Sequence, residues 1–322
     1  MSDSNAFAPG WPGIPPRWTS SAKSGVGTAL NRTSRVWFTL SHGILNEIYY
    51  PRVDTACTRD LGLLIADGNN FFSEEKRNCK FEVGPVEPGV PAFRLVNTEL
   101  GQRYRIEKEI FADPHRNVVL QKIRFVDLGS TGQPGAAAPT QKLSLYALLA
   151  PHLGNCGDHN NGWAGEYKGV PMLFAEHAGL SLAFACSVPW KKMSVGFAGT
   201  SDGWQELSQK FQLVHQHPRA ENGNVALTGE IDLEASGGEF VLALGFGGLW
   251  AEAAEQVRAT LLDNYNALFR DYVSQWTNWQ KMLLPLDRLE ALDRSLNLVL
   301  EGDDDEQLRT FATGHVREPY TG

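Results

Sequence analysis

Residues Ser34–Gly62 read SRVWFTLSHGILNEIYYPRVDTACTRDLG, and the fold follows from how that stretch divides. Apolar and aromatic residues (Val36, Trp37, Phe38, Leu40) precede a short polar turn, Ser41-His42-Gly43, and a second such run follows from Ile44 to Tyr50. β-Branched and aromatic side chains favour a pleated, half-buried surface, and glycine suits a tight connection, so the spacing predicts a β-hairpin. Pro51 closes the second strand, and a polar loop with Asp54, Arg59 and Asp60 follows. Neighbours on a strand face opposite sides, so Tyr49 and Tyr50 cannot both enter a core. One of them is expected to be offered outward.

The same pattern continues beyond the hairpin. From Arg35 to about Gly248, short strand-like runs follow one another, among them Leu61–Ala66, Phe93–Glu99, Tyr104–Phe111, Val118–Val126, Leu180–Ser187, Lys210–Leu213 and Glu239–Gly245. Turn signals separate them: DGNN at Asp67–Asn70, GTSDGW at Gly199–Trp204, SGG at Ser236–Gly238. Many short strands without intervening helical periodicity predict a mainly β protein, a large antiparallel two-sheet β-sandwich. On the N-terminal side, Ala8–Ser34 is rich in Pro, Gly, Ser and Thr. It reads as an extended lead-in, with Trp11, Ile14 and Trp18 to lay it across a surface. At Trp250 the period changes: Trp250, Ala254, Val257, Leu261, Tyr265, Leu268, Tyr272 and Trp276 recur at helical spacing, with a break at Asp263-Asn264. Pro285 stops this run and Leu286–Leu300 restarts it. The expected division is therefore a sandwich over 1–248, a helical linker over 249–300 and an irregular tail over 301–322.

A formal net charge of -8 argues against nucleic acid and anionic membrane as partners, since both require clustered Lys or Arg. No apolar run reaches the length of a membrane span. The N-terminus, MSDSNAFAPGWPG, has an acid where a basic region belongs and no apolar core of a signal peptide. Cys57, Cys79, Cys156 and Cys186 are scattered without a CxxC pair. A reduced, cytoplasmic protein is the expectation.

Among chemistry-bearing motifs, His215-Gln216-His217 followed by Glu221 is the nearest to a metal site, because HxH on a strand puts both imidazoles on one face. Gln209 stands where a cupin would place glycine, Pro218 interrupts the strand, and no second His-bearing strand follows. No cofactor is therefore expected, and calcium in a turn is left open. Glycoside chemistry needs two carboxyl groups about 5–10 Å apart. Glu47, Asp54, Asp60, Asp158, Glu166 and Asp202 are available, but spacing selects no pair. DHNNGW (Asp158–Trp163) and SDGW (Ser201–Trp204) combine amides, carboxylates and an indole, as sugar-contacting loops do and as ordinary Asx turns also do. Gly25-Val26-Gly27-Thr28 opens no strand-then-helix unit.

Several long blocks together resemble a family: PGWPGIPPRWTSSAKSGVGTAL, the Ser34–Gly62 stretch with its continuation LLIADG, GVPMLFAEHAGLSLAFACSVPWKKMSVGFAGTSDGWQEL, and NGNVALTGEIDL. They look like the N-terminal domain of bacterial glucoamylases and glucodextranases, inverting enzymes that release β-D-glucose from α-glucans. The resemblance covers about Phe7 to Leu284. It implies a large β-sandwich, then a helical linker, then a catalytic (α/α)6 barrel that holds both catalytic glutamates. Twelve barrel helices of ordinary length need some hundreds of residues, so the resemblance implies domain N with its linker, inert alone, and no catalytic residue is assigned. Its partners would be that barrel and, in the full-length parent, an α-glucan or maltooligosaccharide. Asn46, Glu47, Tyr49, Tyr50, Arg52 and Asp54 become candidates for a domain interface or the edge of the barrel's substrate mouth. A self-standing carbohydrate-binding or cupin-like sandwich is the alternative.

Overall fold

The computed structural model describes residues 7–129 and 142–283. The hairpin is present: β1 (Gly25–Thr28) pairs with β2 (Trp37–Ser41), which turns back into β3 (Ile44–Tyr49). His42 and Gly43 both hold positive φ, 52° and 73°, the twist that suits a two-residue hairpin turn. β4 (Thr58–Ala66), β5 (Phe72–Glu74) and the one-turn helix α1 (Glu75–Asn78) follow. Next comes a meander of β6 (Cys79–Pro85), β7 (Phe93–Glu99), β8 (Tyr104–Ala112) and β9 (Val118–Asp127). The second half adds β10 (Ser144–Pro151), β11 (Asn160–Tyr167), β12 (Val170–His177), β13 (Leu180–Cys186) and β14 (Trp190–Phe197). Helix α2 (Gly203–Lys210) precedes β15 (Arg219–Gly223), β16 (Val225–Ile231) and β17 (Glu239–Gly247). Helices α3 (Trp250–Leu262) and α4 (Tyr265–Lys281) close the described chain.

The strands form two antiparallel sheets, as the sequence predicts. One has eight strands in the order β1-β2-β3-β4-β10-β16-β14, with β5 on β4; the other has nine, β15-β11-β12-β13-β17-β9-β8-β7-β6. Their facing sides share one apolar core, to which Phe38, Leu45 and Leu149 contribute from the first sheet and Ile106, Phe184 and Leu242 from the second. Along β8 the inward positions are Tyr104, Ile106, Lys108 and Ile110, all buried. Lys108 is compensated there by the buried Glu75 at 2.6 Å, and Glu75 also accepts the Leu63 N–H from β4. An ion pair so placed needs this full set of partners to offset its desolvation.

Helix α3 lies on β17 and β13, and the contact depends on Gly245. A Cβ there would come within 2.6 Å of Val257 Cγ2 and 3.1 Å of the Ala253 carbonyl. Helix α4 wraps Phe111 with Tyr265, Phe269 and Tyr272. Tyr272 Oη also reaches the Thr28 carbonyl on β1 at 2.7 Å. The lead-in straps the sandwich: Ala8 N–H bonds the Arg219 carbonyl, Ile14 N–H bonds that of Ala198, and Ser24 N–H bonds that of Leu40.

Some expectations are corrected. Lys210–Leu213, read as a strand, is the end of α2 and a turn in which Phe211 takes a left-handed C-cap (φ 59°). Strands β1, β5, β11 and β15 carry no periodic apolar signal by which the sequence would show them. The helix expected over 286–300 and the tail over 301–322 lie outside the described residues. Cys57, Cys79, Cys156 and Cys186 are free thiols. Among the described residues, no helix is long and apolar enough to cross a membrane.

Candidate functional site

β3 carries a bulge within the stretch the sequence singles out. Phe38 pairs with Ile48 and Leu40 with Leu45, so Thr39 on β2 faces two residues, Asn46 and Glu47. Leu45 and Ile48, an odd number of positions apart, both stay in the core. The bulge therefore re-aims the residues between them toward the outer face. Thr58 braces it, its hydroxyl accepting the Ile48 N–H at 2.9 Å and donating to the Asn46 carbonyl at 3.0 Å.

Glu47 is clamped by the lead-in: the Thr19 hydroxyl donates to it at 2.5 Å, and the Lys23 ammonium forms an ion pair with it. Burial alone would raise the Glu47 carboxyl, but the bonds from Lys23 and Thr19 prevail and hold it below the usual carboxylate range. Asn46 is fully buried, and neither polar atom of its side chain has a hydrogen-bond partner among the described residues. The ring nitrogens of His152, 1% exposed, are likewise unpartnered there, and Trp18 sets its indole edge-on to that imidazole at 4.8 Å. Burial, helped by the nearby Arg59 charge, lowers the His152 pKa to about 4, so the imidazole is neutral near pH 7.

The tyrosine pair separates as strand geometry requires. Tyr50 is 3% exposed, stacked on Phe246 at 5.8 Å with the Arg35 guanidinium over its ring. Tyr49 is half-buried on the outer face, opposite Trp37 in register. Arg52 and Asp54 form an exposed ion pair at 2.8 Å in the loop after Pro51. Of the six candidates, Tyr49, Arg52 and Asp54 thus reach the surface, whereas Asn46, Glu47 and Tyr50 do not. Near Tyr49, beside the clamped Glu47, Val26, Trp37 and Val53 are exposed by 51%, 37% and 61%. This strip was not legible as a surface before the bulge and the β1 pairing were known.

The metal pattern does not assemble. His215 and His217 stack at 5.7 Å in a segment outside any strand, His215 Nδ1 lies 2.5 Å from Glu206, and Glu221 pairs with Arg219. Among the described residues, no three His, Cys, Asp or Glu side chains converge to hold an ion. In SDGW, Asp202 caps α2 by accepting the Gln205 N–H at 3.0 Å, and the Trp204 indole N–H donates to Glu74 at 2.8 Å. In DHNNGW, the Asn160 side chain bonds the Cys156 and Asp158 carbonyls, and Trp163 stacks on Phe174. Both motifs are turns and packing here.

The family model for glucodextranase domain N matches residues 8–281. A glucoamylase from Clostridium sp. (strain G0005) is 31% identical over 303 residues, which is 94% of this chain and 42% of that protein. A bacterial glucoamylase solved in complex with acarbose superposes with a TM-score of 0.82 at 32% identity, covering 88% of this chain and 40% of that one. The chain therefore spans about two fifths of the length of these relatives. With the family model matched across both sheets and α3–α4, the chain belongs to the glucodextranase domain N family.

Proposed function

We propose that this chain is the non-catalytic N-terminal domain of a glucoamylase-type hydrolase, an inverting enzyme that releases β-D-glucose from α-glucans. Its role is to support a catalytic (α/α)6 barrel. The observation that carries the reading is the colinear match of 94% of the chain to 42% of a glucoamylase. The surface we assign to the barrel is the outer face of β1–β3, with Val26, Trp37, Tyr49 and the loop holding Arg52, Val53 and Asp54. Apolar side chains of this size on neighbouring strands suit burial against a partner. Asn46, Glu47 and Tyr50 take a supporting part, since they fix the bulge and the core beneath that face. The division into a sandwich over 1–248 and a helical linker from 249 belongs to the same proposal. Glucose release from maltooligosaccharides tests it: the chain alone should show no turnover above buffer. Sustained release by the purified chain would overturn the assignment.

A further inference from the structure

The nine-stranded sheet carries a second depression, built quite differently. Helix α3 covers part of this sheet, with Val257 beside Gly245 and Trp250 packed edge-on against Phe174. The next cross-strand row lies at the helix's first residue. Asn161 pairs with Glu176, Glu176 with Ser181, and Ser181 with Gly247. Residues opposite one another in antiparallel strands share a face, so an amide, a carboxylate and a hydroxyl stand in line. At Gly247 the row passes under the first turn of α3, where Glu252 and Ala253 fill the space a side chain would take, and Gly248, Leu249 and Trp250 line the groove beside it. The resulting groove has a volume of about 300 Å³, and His159 and His177 complete its wall.

Its polar groups are largely unused. The Glu176 carboxylate and the Ser181 hydroxyl have no partner among the described residues, although Ser181 is only 3% exposed. His177 Nδ1 lies 3.0 Å from the His159 carbonyl, which can only accept. Asn161 Oδ1 accepts the Asn222 N–H at 2.9 Å, leaving its amide NH2 free to donate. Beside these groups Trp250 is 41% exposed and Leu249 70%. No Lys or Arg lines the groove, so an anion would meet Glu176 without compensation. Nor do His159, His177 and Glu176 converge as a metal site. Free acceptors and donors in a row beside an exposed indole suit a neutral polyhydroxyl ligand, whose C–H face lies on the ring while its hydroxyls bridge the row.

We propose that this groove is a non-catalytic saccharide-binding site, with Trp250 as the platform and Glu176 and Asn161 taking the hydroxyls. That the ligand is a saccharide rests on the groove; that it is an α-glucan rests on the function proposed above. The test is electrophoresis of the chain through native gels containing glycogen, dextran or galactomannan, followed by calorimetric titration with maltoheptaose. Glycogen or dextran should retard the chain. Glu176→Gln and Trp250→Ala should each weaken binding about tenfold or more, a loss of about 1.4 kcal/mol. Lys80→Ala, exposed on β6 at the far edge of the same sheet, should leave it unchanged. Should Trp250→Ala fail to fold, the partly exposed Glu176→Gln variant, checked by its melting curve, carries the test. Retardation by galactomannan alone would support the groove and count against the α-glucan reading. No retardation in any gel, or retardation that neither groove variant alters, would overturn the proposal.

Discussion

Removing the Tyr50 ring would empty the space between Phe246 and Arg35. Tyr50→Ala is expected to cost about 3–5 kcal/mol in urea unfolding, as large aromatic truncations in cores do, whereas Tyr49→Ala should cost under about 1 kcal/mol. Equal losses for the two variants would contradict the alternation described here. His152 makes stability depend on pH. Its folded pKa of about 4 lies below the ordinary 6.5, so the unfolded chain binds more protons between those values. The stability from burying a neutral imidazole is complete above about pH 6.5 and is lost as pH falls toward 4, by up to about 1.4 kcal/mol per pH unit. His152→Gln should flatten the unfolding midpoint against pH across that window, and an unaltered slope would assign the window elsewhere. The sequence alone already showed that one tyrosine had to face out, but not which. That choice was made by the bulge at Asn46-Glu47, a one-residue shift of register invisible to a period of two. Lys108 was legible in principle: it takes an inward position in the series Tyr104, Ile106, Lys108, Ile110, where a lysine demands a buried partner.

At the level of elements, the helices and sheets depend on a few close approaches. Gly245→Ala would drive a methyl group into Val257 and the Ala253 carbonyl, and both are held by a helix that cannot yield locally. The expected cost is about 1–3 kcal/mol, read as a lowered thermal midpoint together with faster amide exchange in α3. A fully wild-type exchange pattern would mean that α3 is seated by other contacts. Long strands with alternating or continuous apolar content, such as β8, β9 and β17, were legible within a residue or two. The strands that escaped, β1, β5, β11 and β15, are held by neighbours and not by their own pattern: β1 reads GVGT and β15 reads RAENG. Helix α2 escaped for a related reason. Its cap, Asp202, reads equally well as a turn former, and only two of its positions, Gly203 and Leu207, are buried. By contrast, the break between α3 and α4 falls at Asp263-Asn264, where the helical spacing showed it.

For the molecule as a whole, the two sheets turn different chemistry outward. The edge of the eight-stranded sheet offers an apolar strip, and the nine-stranded sheet offers a groove of free polar groups beside Trp250. Helix α4 is tied to β1 through Tyr272, which brings the chain to the same edge as Trp37 and Tyr49. A domain following in the same polypeptide would meet that strip with little loss of chain entropy, since the connection is already anchored there. A charge placed in the strip separates docking from folding. Trp37→Glu lies on an outer face, so the isolated chain should lose no more than about 1 kcal/mol. In a longer protein in which a catalytic barrel follows, the same change would bury an unpaired carboxylate against an apolar partner. Calorimetry should then show the barrel's transition falling by several degrees and separating from that of the sandwich, with glucose-releasing activity lost at a correspondingly lower temperature. If the two transitions stay together and the inactivation temperature holds, the β1–β3 face is not where the barrel rests. The Arg52–Asp54 loop, exchanged for Gly and Ser in the same protein, would then show whether the neighbouring rim bears the contact instead.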